Sequence, residues 1–194
     1  MKHFIKLSLF GFLALGAACG DDDGGGGASN VDTGLPTSQP LAEVAPADLM
    51  NACESVQAAV NERFDDERIT RFLCEFVSAL GTENQASCRE AADDCIANPP
   101  EGATEMLGFE GAADVGCGEL MGVEECQATV GEFEGCFNDT LDAVDAFMEQ
   151  FSCANAGNID LESMESGPLD QPPASCAQLE MECPGTGFGG GEIQ

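Results

Sequence analysis

The chain predicts an all-α fold, a small disulfide-stapled bundle of about four to five helices with long irregular loops. Three observations carry that reading. Apolar residues recur at steps of three and four in five separate segments, the period of a helix with one buried face. Ten cysteines are spread through the body of the chain, at least one in each of those segments. The first nineteen residues have the form of an export signal, and an exported chain reaches a compartment where disulfides form and persist.

Residues 1–18 read as a lipoprotein signal peptide. Lys2 and Lys6 accompany an apolar run from Leu7 to Leu15, and Gly16, Ala17 and Ala18 lead to Cys19. The run is too short for a membrane span, which needs roughly 20 apolar residues. Small residues before a cysteine are the cut site of a bacterial lipoprotein, although Gly16 stands where such sites prefer leucine. Cys19 is also the odd member of eleven cysteines, the natural one to carry lipid. A diacylglycerol thioether would anchor it stably, since each buried methylene contributes about 0.8 kcal/mol and two chains suffice. The expected membrane contact is therefore through the lipidated N-terminal cysteine.

Cleavage removes both lysines and the single histidine, His3, leaving Arg63, Arg68, Arg71 and Arg89 against 36 Asp and Glu, a net charge of −32. That sign excludes nucleic acid as a partner, because phosphate binding depends on Lys and Arg. Self-repulsion of this size opposes compaction, so the cysteines are expected to hold the fold together. Cys53, Cys74, Cys88, Cys95, Cys117, Cys126, Cys136, Cys153, Cys176 and Cys183 are predicted to form five bridges. A thiolate zinc site is the competing reading, but no two cysteines are separated by only two residues and histidine is gone.

Residues 19–44 read as the lipidated cysteine and a flexible tether: Asp21 to Asp23, Gly24 to Gly27, then Ser, Asn, Thr and Pro without apolar period. The folded domain is assigned to residues 45–184, and residues 185–194 to a flexible Gly-rich tail. Pro46 opens the first helix, with Leu49, Cys53, Val56, Val60 and Phe64 on its stripe. A second begins after Asp65 and Asp66, carries Ile69, Phe72, Leu73, Phe76, Val77 and Leu80, and stops at Gly81. Thr82 and Gln85 are placed to cap a third, bearing Cys88, Ala91, Ala92, Cys95 and Ile96 and ended by Asn98-Pro99-Pro100. Residues 101–128 read as a long connection tied down by Cys117 and Cys126.

Thr129 and Glu132 form a capping box for the fourth helix, whose stripe is Phe133, Phe137, Leu141, Val144, Met148 and Phe151. Ser175 and Gln178 are placed to cap a short last helix with Cys176, Leu179 and Cys183. Helical geometry limits the bridges. Cys88 and Cys95 lie seven residues apart, about 10.5 Å along one face, beyond the roughly 7 Å reach between bridged Cα atoms, and the same holds for Cys176 and Cys183. A hairpin turning near Asp65 would bring Cys53 beside Cys74, the expected first pairing.

Without His or Lys the mature chain builds no Ser-His-Asp, Cys-His or Schiff-base site, so only carboxylate chemistry remains. Val31-Asp32-Thr33-Gly34 matches the aspartic-protease tripeptide, but in one copy within the tether. A glycosidase pair would lack the Trp or Tyr on which sugars stack. The most defined cluster is the ridge opposite the fourth helix's stripe. Asp139, Asp142, Asp145 and Glu149 are the candidate metal ligands, with calcium the possible ion, against the simpler reading of a solvated acidic face.

The signal followed by Gly20-Asp21-Asp22-Asp23, the segment Thr129-Val130-Gly131-Glu132-Phe133-Glu134-Gly135-Cys136, Ser152-Cys153, and Pro173-Ala174-Ser175-Cys176 through Cys183-Pro184 carry a resemblance. In these the chain resembles uncharacterised cysteine-rich lipoproteins of social, predatory Gram-negative bacteria. The likeness covers the signal and mainly the second half, and implies no activity or site residue. It implies an envelope location, and Gly20 after the lipidated cysteine suits the outer membrane. The resulting expectation is a non-catalytic, lipid-anchored binding module at the envelope or cell surface, without cofactor. A divalent-cation-binding or cation-dependent adhesion lipoprotein is the alternative, and a carboxylate enzyme comes third.

Overall fold

The computed structural model describes residues 30–100, 123–159 and 172–184. They form five α-helices: α1 (Pro46–Arg63), α2 (Asp66–Gly81), α3 (Gln85–Ala97), α4 (Val130–Gln150) and α5 (Ala174–Glu182). Single 3-10 turns lie at Leu41–Glu43, Val123–Glu125 and Cys153–Asn155. The fold is all-α, as the periodicity predicts, and the one extended pairing among the described residues is an isolated bridge between Pro40 and Thr129. No described helix is long and apolar enough to cross a membrane. The signal peptide, Cys19, Cys117 and the tail lie outside the described residues.

Local chemistry sets the helix starts. Asp65 accepts from the Arg68 amide at 2.7 Å, capping α2. The α4 capping box is complete: Glu132 N–H donates to the Thr129 hydroxyl and Thr129 N–H donates to the Glu132 carboxylate at 2.7 Å. Two expected caps fall elsewhere. Asn84 rather than Thr82 caps α3, accepting from Ser87 N–H at 3.0 Å, while the Thr82 hydroxyl turns back to the Ser78 carbonyl. α5 begins at Ala174, so Ser175 lies inside its first turn, where it donates to Asp139 across the helix pair, and the N-cap position is Pro173, which has no capping side chain.

α4 is the spine. Around its first half, Val130, Phe133, Cys136 and Leu141 pack with Val56 and Val60 of α1 and Cys176 and Leu179 of α5. Beyond its end a second cluster joins Ala79 of α2, Cys88 and Ala92 of α3, and Cys153 and Ala156. Phenylalanines connect α2 to α4 and its C-cap: Phe72 meets Phe147 at 6.3 Å between centroids and Phe76 meets Phe151, the C-cap residue, edge-on at 5.8 Å. α2 lies against α3 rather than along α1, which displaces the expected stripe. Ile69, Cys74 and Ala79 are buried, whereas Val77 is 64% and Leu80 46% exposed.

That packing also overturns the expected Cys53–Cys74 bridge. Cys74 faces α3 and pairs with Cys95, Cα atoms 5.5 Å apart. Cys88 reaches Cys153, Cys136 reaches Cys176, and Cys126 reaches Cys183. Each of the helical pairs judged too far apart to bridge itself is thus stapled to two other places. Cys53 is also disulfide-bonded, to a partner outside the described residues. All nine described cysteines are therefore oxidised.

The expected tether is shorter than its composition suggests. Residues 30–44 belong to the folded body, with Val31, Leu41 and Val44 buried in the first core cluster. Val31 stands ten residues before Leu41, and with Val44 they make no sustained period, so composition alone reads the segment as linker.

Candidate functional site: the polar ridge of α4

The side of α4 opposite its apolar stripe is where the polar side chains concentrate, and it divides into two stretches. The first is Glu134 and Asn138. Asn138 holds the Val31 backbone in both directions, its Oδ1 accepting from Val31 N–H at 2.7 Å and its Nδ2 donating to the Val31 carbonyl at 3.3 Å. Glu134 accepts from both the Thr33 amide and the Thr33 hydroxyl, at 2.8 and 2.7 Å. Further along, main chain meets main chain: Gly131 N–H donates to Thr37 O, Val130 N–H to Gln39 O, and Leu41 N–H to Ala128 O, each within 2.9 Å. Residues 30–44 thus form a strap that runs antiparallel to the start of α4. A Cβ on Gly131 would lie 3.0 Å from the Thr37 carbonyl oxygen, so glycine permits the approach.

The protease-like tripeptide lies in this strap and is a turn. Asp32 Oδ1 accepts from Gly34 N–H at 2.8 Å, and Gly34 adopts φ +68°. The carboxylate closes its own backbone rather than facing a second acid.

The second stretch is Asp142 and Asp145. Arg63, the last residue of α1, inserts a nearly buried guanidinium between them, its Nε donating to Asp145 at 2.6 Å and its Nη2 to Asp142. Arg68 donates to the other Asp145 oxygen at 2.6 Å and, through Nη1, to the Arg63 carbonyl at 2.8 Å, closing the corner between α1 and α2. Its guanidinium lies 5.5 Å from the Phe64 ring centroid. Burial pushes the Arg63 pKa down, but hydrogen bonds and charge from Asp142 and Asp145 outweigh it and hold the value above that of an ordinary arginine.

The four candidate metal ligands do not converge. Asp142 and Asp145 are engaged by arginines, Asp139 accepts from Ser175 at 2.5 Å on the α5 side, and Glu149 is exposed one turn beyond. Among the described residues no group of three or more His, Cys, Asp or Glu side chains is gathered as a metal site. Periodicity alone does not single out Arg63 or Arg68 as site residues, yet Arg63 continues the α1 stripe three residues after Val60 and is one of only four arginines in the sequence.

Beneath the strap is an apolar pit lined by Leu35, Leu41, Leu49, Ala52, Val123 and Phe133, with a free volume of about 10 Å³. That is room for about one water molecule, not for a substrate. No known protein family matches the chain, and no characterised protein or solved structure is similar to it.

Proposed function

We propose that this protein is a lipid-anchored, non-catalytic domain of the bacterial envelope that serves as a binding or interaction module, held at the outer membrane by Cys19. The observation that carries the anchor is the signal ending at Gly16-Ala17-Ala18-Cys19. Cysteine accounting supports it. Eleven cysteines cannot all pair, nine are bonded in the described residues, and Cys19 precedes the folded body. A carboxylate-only chain whose ridge is spent on its own strap and arginines supports an interaction role over catalysis.

Detergent phase partitioning of the wild type and of Cys19→Ala, expressed with its signal in a Gram-negative host, tests the anchor. The wild type is expected in the detergent phase and the variant in the aqueous phase. Equal partitioning of the two refutes the lipoprotein reading.

A further inference from the structure

We propose that docking of residues 30–44 on α4 is a leash-shortening device, which keeps the folded domain close to the membrane and so restricts its partners to molecules at that same surface. The inference rests on the lipid anchor at Cys19 and extends it. If the chain were free from Cys19 to Ala45, its 26 residue steps would allow a reach of about 90 Å. With Val31 fixed on Asn138, the covalent path from Cys19 to Asn30 is eleven steps, at most about 40 Å. The strap therefore removes more than half of the available reach.

The bonds grade along the strap in a way that suits such a device. From Thr37 to Leu41 the strap is held main chain to main chain and by burial of Leu41. From Val31 to Thr33, the end nearest the anchor, the holding groups are the side chains of Asn138 and Glu134 together with the buried Val31. Any pull from the anchor enters at Val31. Release as far as Thr37 would return about 25 Å of chain without disturbing the inner bonds.

The test uses the full-length, lipid-processed protein in vesicles of phosphatidylethanolamine and phosphatidylglycerol, with a fluorescent amino acid replacing exposed Glu180 on α5 and acceptor dye in the bilayer. In the wild type, hydrogen exchange should show the Val31 and Thr33 amides protected and energy transfer to the bilayer strong. The triple variant Val31→Ser, Glu134→Ala, Asn138→Ala should lose that protection and lose transfer. A Gly-Ser insert of about ten residues after Gly27 lengthens the path with the strap intact, so it should lose transfer while keeping the amides protected. A wild type that does not associate with vesicles overturns the anchor itself. Vesicle-bound wild type with freely exchanging Val31 and Thr33 amides, or with transfer that the insert lowers and strap release does not, overturns the leash alone.

Discussion

Arg63 and Asp145 should be the strongest charge pair in the domain, and their coupling follows from exposure. The Arg63 side chain is 5% exposed, Asp145 22% and Asp142 68%. At an effective dielectric near 20, two charges about 4 Å apart attract by roughly 4 kcal/mol before desolvation is charged against them. Desolvation of a largely buried guanidinium removes much of that, so a net coupling of about 2 kcal/mol is expected for Arg63 with Asp145. Asp142 is open to water and should couple by less than about 1 kcal/mol. Asp145→Ala alone should cost about 2–4 kcal/mol, because it leaves Arg63 buried with one exposed partner and deprives Arg68 of its carboxylate partner.

Double-mutant cycles built on Arg63→Met measure this, since methionine keeps the apolar stem that packs under the guanidinium. Urea unfolding with the disulfides intact supplies the free energies. Raising sodium chloride to about 1 M should weaken the Asp142 coupling and leave most of the Asp145 coupling. The reasoning fails if Asp142 couples as strongly as Asp145, or if both couplings fall below about 0.5 kcal/mol, the usual error of additivity.

Four further outcomes are expected. The Glu132 carboxylate, held below the usual glutamate range by the Thr129 backbone N–H and hydroxyl, contributes stability that is complete above the unfolded value of about 4.3 and lost as pH falls through its lowered folded value; Glu132→Gln should flatten that part of the stability–pH curve. Gly157→Ala should lower the melting temperature by the equivalent of about 1–3 kcal/mol, because Gly157 has φ +81° and a Cβ there would lie 2.4 Å from the Glu83 carbonyl oxygen. Peptide mapping without reduction should recover Cys74–Cys95, Cys88–Cys153, Cys126–Cys183 and Cys136–Cys176, and should join Cys53 to Cys117, leaving Cys19 for lipid. Calcium and sodium chloride at equal ionic strength should give the same melting curve, because arginines already neutralise the centre of the ridge.

The helices were legible because each announces itself locally. The α4 capping box and the proline stop after α3 depend on residues within a turn of one another and stand where the sequence places them, while α2 begins one residue earlier than expected, capped by Asp65 with Asp66 as its first residue. Partner choice was not legible. Periodicity says that Val77 and Leu80 belong with Phe76, but α2 turns toward α3 and the phenylalanines of α4, which takes Cys74 from Cys53 and leaves Val77 in solvent. The strap is hidden from the sequence for a related reason. Its two-way hold on Asn138 joins residues 107 apart, and no local pattern marks Val31 as buried. The ridge is legible as a row of acids, but its pairing with arginines is not, because those cations come from the end of α1 and the start of α2 rather than from α4 itself.

In a chain this acidic, the placement of the few cations decides which elements can approach. α1 and α2 end and begin at one corner, and two of the chain's four arginines are spent there against α4, while Arg71 makes an exposed pair with Glu67 inside α2. Elsewhere, contact with α4 is made without net charge neutralisation. The strap uses backbone N–H groups and an amide, α5 uses the Cys136–Cys176 bridge and a serine hydroxyl, and α2 uses aromatic rings. α4 is thereby claimed on nearly every side although its sequence shows one apolar stripe. Removing the Arg63 charge should therefore loosen the α1–α2 corner while the α4–α5 pair, held covalently, stays closed.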